Sequence, residues 1–66
     1  MSVAKVIELT ASSPNGFDEA IRQGIEKSGE TLRNVRGAWV SEQKVEIENG
    51  EISAYRVTLR ITFVVD

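Results

Sequence analysis

Cysteine and histidine are both absent from this chain of 66 residues. Their absence excludes disulfides, thiolate chemistry and zinc sites of the usual kind. The opening stretch MSVAKVIELT holds no run of roughly 7–15 apolar residues, so neither a signal peptide nor a membrane span is expected. Charge of one sign is not in excess either. Eight Lys and Arg are interspersed with ten Asp and Glu for a net charge of −2, which does not suit a nucleic-acid or membrane-surface protein. The expectation is a cytoplasmic protein of a single domain, residues 1–66. A chain this short buries only about 60% of its unfolded surface. With disulfides and zinc closed off, self-association is the remaining common route to stability.

Catalysis finds little support. Without His or Cys, proton transfer and nucleophilic attack would fall to carboxylates or lysines, and no spaced pair of these stands out. Glycine-rich phosphate loops are also missing. No enzyme is expected.

What is present reads as strand, helix, strand, strand. Val3–Thr10 is rich in β-branched and aliphatic residues and predicts a first strand. Ser13-Pro14 reads as a helix start, with Ser13 as N-cap and Pro14 at the first helical position. Asp18 and Glu19 then lie near the positive end of the helix dipole. Phe17, Ala20, Ile21, Gly24, Ile25, Ser28 and Leu32 recur at steps of three and four, one apolar stripe of an amphipathic helix. Gly24 within that stripe costs about 1 kcal/mol of helix propensity and suggests close approach to a sheet. Asn34–Ile47 predicts a long second strand, and Ile52–Val65 a third. Between them Asn49-Gly50 is the strongest hairpin signal, since both residues tolerate positive φ. The expected fold is α+β: β-α-β-β, a three-stranded antiparallel sheet partly wrapped around one amphipathic helix.

In the third strand Val57, Leu59, Ile61 and Phe63 face one way, and Arg56, Thr58, Arg60 and Thr62 the other. In the second, Ala38 and Val40 share a side, opposite Gly37, Trp39, Ser41 and Gln43. The apolar phase then changes to Val45 and Ile47, which predicts a bulge or bend near Ser41–Lys44. One helix covers one side of such a sheet. The other side carries Trp39, the only tryptophan, with Gly37, Gln43, Arg56 and Thr58 as candidate binding residues. An indole beside hydrogen-bonding groups suits a small planar ligand, Gly37 leaves room for a ring, and an arginine fork can hold phosphate. The same residues also suit a subunit interface, where aromatics and Arg are enriched. Single-stranded nucleic acid on Trp39, Tyr55, Arg56 and Arg60 is a remote alternative that the acidic balance disfavours. Glu46, Glu48, Asn49 and Glu51 could ligate calcium, although a solvated acidic turn is the preferred reading.

The segments Val6–Pro14, Thr31-Leu32-Arg33-Asn34-Val35 and Tyr55–Phe63, spread over nearly the whole chain, resemble those of the dodecins. The resemblance implies a hollow homododecamer with helices outside and sheets inside. It implies flavins (riboflavin or FMN) stacked between tryptophans at subunit contacts and stored with their photochemistry quenched. Gly37 stands where that family usually has its stacking tryptophan, and Trp39 follows two positions later, on the same face and about 7 Å along. Arg56 stands where its glutamine reads the flavin ring. Dodecin-like proteins with a comparable Tyr-Arg strand are associated with calcium, so a flavin-free shell, structural or calcium-binding, is the alternative.

Overall fold

The computed structural model describes residues 3–65; Met1, Ser2 and Asp66 lie outside them. Strand β1 (Val3–Ser13) is followed by helix α1 (Phe17–Gly29), then β2 (Val35–Glu48) and β3 (Glu51–Val65). The sheet order is β1-β3-β2, with both pairings antiparallel. β1 and β2 therefore run parallel on either side of β3, and α1 is the crossover that such a pair requires. The expected β-α-β-β architecture is observed. β3 takes the centre because its apolar row is the most continuous: Val57, Leu59 and Ile61 are fully buried.

Helix α1 lies on that row. Ala20, Gly24 and Ser28, four residues apart, are its buried positions and share one face. A Cβ on Gly24 would lie 2.7 Å from Leu59 Cδ1, so glycine here sets how closely helix and sheet approach. Leu9, Ala11, Phe17, Ile21 and Val40 pack around the core. The Phe17 and Tyr55 rings meet edge to face at 5.1 Å and 79°, an arrangement worth about 0.5–1.5 kcal/mol beyond burial.

The helix start differs from the expectation. β1 runs on to Ser13, and α1 opens at Phe17 after Gly16, with no side-chain cap. Ser13 is buried, and its Oγ accepts the Asn15 N–H at 3.0 Å. The hydroxyl thus turns the chain out of the strand and caps no backbone N–H of the helix, so Pro14 belongs to that turn. At the other end Asn34 adopts φ 59° and precedes β2. A left-handed residue cannot continue a pleated strand, which is why β2 begins at Val35 and not at Asn34.

Asn49 (φ 52°) and Gly50 (φ 79°) form the hairpin turn as the sequence predicts. The pairing of β2 with β3 shifts three times, between Val35 and Gly37, between Val40 and Glu42, and between Glu46 and Ile47. The second shift falls in the predicted window. The third places an extra residue, Ser53, on β3, whose hydroxyl donates to the Glu46 carbonyl at 3.1 Å. The second places Ser41 on β2, donating to the Thr58 carbonyl at 3.3 Å.

The chain extends over 51 × 19 × 13 Å. A 13-residue helix is about 20 Å long, whereas the 14- and 15-residue strands reach nearly 50 Å. The helix covers under half of the ribbon. Ile47 and Ile52 at the hairpin end, and Val3 and Val65 at the other, are consequently exposed. No helix among the described residues is long and apolar enough to cross a membrane.

Candidate ligand-binding face

Opposite the helix, β3 presents Arg56, Thr58, Arg60 and Thr62, which alternate with its buried row. Across from them β1 contributes Ser12, Thr10, Glu8 and Val6. β2 contributes Lys44, Glu42, Trp39 and Gly37 on its own side. Gly37, Trp39, Arg56 and Thr58, four of the five expected binding residues, therefore share this open face. The fifth, Gln43, does not hold the place expected for it. From the Ser53 bulge to the Ser41 bulge the register runs one residue out of step. Gln43 thus lies across from Val57 while Glu42 faces Thr58. A one-residue slip turns each side chain to the other side; Gln43 nonetheless borders the cavity described below.

The indole of Trp39 is 62% exposed. Its cross-strand partner is Arg60, whose guanidinium carbon lies 4.9 Å from the ring centroid. Arg60 Nε in turn donates to Glu8 Oε2 at 3.4 Å. One side chain from each strand thus builds a row of carboxylate, guanidinium and indole. The cation–π contact is worth about 0.5–1 kcal/mol at an exposed site, enough to favour one indole orientation. Arg60, which sequence reasoning placed on this face but not among the binding residues, is the tryptophan's partner. The signal was available: counting back from the Asn49-Gly50 turn pairs Trp39 with Arg60. That count survives because the two bulges, one on each strand, cancel.

Arg56 lies elsewhere on the face. It stands across from Lys44 and Ser12, four residues along β3 from Arg60, or about 13 Å. Within one chain it stands two rungs of the ladder away from Trp39. Its Nη2 is 3.8 Å from Glu46 Oε1, and its Nε is buried with no hydrogen-bond partner. A cavity of about 590 Å³ opens here, lined by Thr10, Glu42, Gln43, Lys44, Arg56 and Thr58. At Gly37 an added Cβ would meet nothing within 4 Å, so the space expected there is present.

The acidic hairpin places Glu48 across from Glu51, while Glu46 faces Arg56. Among the described residues no group of three or more His, Cys, Asp or Glu side chains could hold a metal ion. One carboxyl is perturbed, on the helix side. Glu19 accepts from the Asn15 amide at 2.6 Å and from Gln23 at 3.1 Å. Asn15 foremost, then Ser13 and Gln23, with the Arg22 charge, hold its pKa below the ordinary glutamate value.

One helix on a three-stranded ribbon, with an aromatic and polar ladder left open on the other side, defines a small β-α-β-β protein built around an uncovered sheet face. A family model described as Dodecin matches residues 3–66, and the chain belongs to the dodecin family. It is 29% identical over 63 residues to the calcium dodecin of Mycobacterium tuberculosis, covering 96% of this chain and 89% of that protein. Its fold superposes on the dodecin from Streptomyces davaonensis with a TM-score of 0.93 at 32% identity, over 98% of this chain and 96% of that one. The crystal structure of the M. tuberculosis protein, described as a calcium-chelating antigen with a novel calcium-binding site, gives 0.85 at 29% identity, over 98% and 93%.

Proposed function

We propose that this dodecin binds a flavin, riboflavin or FMN, by stacking on Trp39, and stores it within a closed homo-oligomer of twelve chains. The observation that carries the reading is the exposed indole on the uncovered sheet face. Arg60 lies over its ring, and open space lies at Gly37 two residues away. Stacking supplies apolar contact to a planar ring. An indole in contact with an excited isoalloxazine quenches it by electron transfer, so the function is sequestration and not turnover. The exposed Ile47, Ile52, Val3 and Val65 support assembly, because a helix of this length leaves them for other copies to cover.

The first test is an absorbance spectrum of the purified protein on a sizing column after incubation with riboflavin or FMN. A flavin band travelling with a particle of roughly 90 kDa, twelve copies of a 7.3 kDa chain, is the expected result. A colourless particle of that size retires the flavin reading and keeps the shell. Loss of binding in Trp39→Ala places the ligand on the indole, and unchanged affinity removes it from there.

A second reading is a flavin-free shell that binds calcium. It is favoured by the likeness to the M. tuberculosis calcium dodecin. Calorimetry with calcium on flavin-free protein separates the two: absence of both heat and thermal shift counts against the metal.

A further inference from the structure

The dipeptide Asn-Gly occurs twice in this chain, at Asn15-Gly16 and at Asn49-Gly50. In this pair the asparagine side chain is most open to attack by the next backbone nitrogen, because glycine has no Cβ to block the approach. The fold treats the two copies differently. Asn49 and Gly50 form the exposed tip of the β2–β3 hairpin. Among the described residues the Asn49 side chain has no hydrogen-bond partner, and nothing lies within 4 Å of a Cβ built on Gly50. The rung that closes the tip sets Glu48 across from Glu51, and like charges directly opposite destabilise a strand pair. Behind it Ile47 and Ile52 are exposed, so no packing within the chain holds the tip shut. Segments with few buried contacts open locally at little cost.

Asn15-Gly16 lies in the turn from β1 to α1, and each part of it is tied. Asn15 Nδ2 donates to Glu19 Oε2 at 2.6 Å, and the Asn15 backbone N–H donates to Ser13 Oγ at 3.0 Å. The Gly16 carbonyl accepts the Ala20 N–H at 3.2 Å, the first bond of the helix. For its side chain to reach the Gly16 nitrogen, Asn15 must give up a hydrogen bond to a carboxylate.

We infer that Asn49 is a site of spontaneous deamidation, from which Asn15, in the same dipeptide, is shielded by its contacts. The Gly50 nitrogen loses its proton to water and attacks Asn49 Cγ. The new N–Cγ bond closes a succinimide ring, and the side-chain nitrogen leaves, protonated, as ammonia. Water then opens the ring, at Cγ to give aspartate or at the main-chain carbonyl to give isoaspartate. No electrons are exchanged, and water is the co-reactant. Either product places a third carboxylate between Glu48 and Glu51. Isoaspartate also adds a backbone carbon, which a two-residue turn accommodates only by loosening its closing rung. The tip lies about 30 Å along β3 from the Trp39 rung, so the reaction does not depend on a ligand there.

The test is to age the purified, assembled protein for several weeks at mildly alkaline pH, digest it with trypsin and measure peptide masses. Cleavage at Lys5, Arg22, Lys44 and Arg56 puts the two asparagines on separate peptides, and exchange of NH2 for OH adds about 1 Da. Asn49 should convert about tenfold faster than Asn15, the effect of one hydrogen bond to a charged group that must first break. Isoaspartate should accompany aspartate in the product. In urea, where only the shared dipeptide remains, the two rates should draw together. Glu19→Gln should speed conversion of Asn15 and leave Asn49 unchanged. Equal rates at the two sites in the folded protein, or an Asn49 that reacts only in urea, overturns the inference. An Asn15 rate unmoved in Glu19→Gln overturns the shielding.

Discussion

Arg60 covers one side of Trp39, its guanidinium carbon 4.9 Å from the ring centroid, while the indole stays 62% exposed. The arginine is held by Glu8 from the far edge strand, so the orientation of the tryptophan depends on all three strands. Because Trp39 is the only tryptophan, its fluorescence reports this arrangement without interference. Arg60→Ala should raise the Stern–Volmer constant for acrylamide by up to about twofold, since one covered ring face becomes free. Glu8→Gln should give a smaller rise, because an exposed ion pair is worth little. An unchanged constant in Arg60→Ala would mean that the contact does not persist in solution.

Gly24 and Gly29 belong to the same helix and should respond oppositely to alanine. At Gly24 the new methyl would press on Leu59, which is fully buried and cannot swing away. Overpacking of this kind costs about 1–3 kcal/mol, against about 1 kcal/mol gained in helix propensity. At Gly29 nothing lies within 4 Å of the added carbon, leaving the propensity gain alone. Urea unfolding midpoints should fall for Gly24→Ala and rise for Gly29→Ala. A rise in both would mean that the helix can move off the sheet without loss.

The hairpin turn makes a simpler demand. Gly50 has φ 79°, where an L side chain costs about 1–2 kcal/mol. Gly50→Ala should lower stability by that amount, whereas Asn49→Gly, at φ 52°, should be within a few tenths. Equal effects of the two substitutions in thermal melts would contradict the turn geometry.

Glu19 predicts a response to acid. Its folded pKa lies below the ordinary value, with the Asn15 amide as the largest cause. Its contribution is therefore fully present above the unfolded glutamate pKa of about 4.3. It is lost as pH falls through the lower folded value, where the native state must also take up the proton. Glu19→Gln should reduce the acid-side slope of stability below about pH 4.5, and Asn15→Ala should reproduce part of that change. Denaturation midpoints measured from pH 6 to pH 3 would test it; identical slopes for Glu19→Gln and wild type would exclude the role.

Much of this was open to a reading of residues alone, where the signal was local. The stripe from Phe17 to Ser28 repeats at helical spacing, the Arg56–Phe63 alternation repeats at strand spacing, and Asn49-Gly50 meets a steric demand few other pairs satisfy. The helix start was misread because Ser13-Pro14 satisfies the rules of a cap, while burial of Ser13 beside Tyr55 across the β1–β3 ladder draws it into the strand. Local preference yielded to pairing.

Gln43 and Arg56 mark where the sequence ceased to be enough. Periodicity alone determined that this chain makes one helix and three strands, that one sheet face is left uncovered, and that Trp39 lies on it, because each of these follows from spacing within a single element. Only the tertiary structure decided that Lys44 and not Gln43 stands across from Arg56. The reason is register. A bulge at Ser53 shifts the pairing by one residue and a second at Ser41 restores it, so the rungs between them depart from a count made from the turn. A strand's own pattern records which way its side chains point, but not which residues of the neighbouring strand they meet.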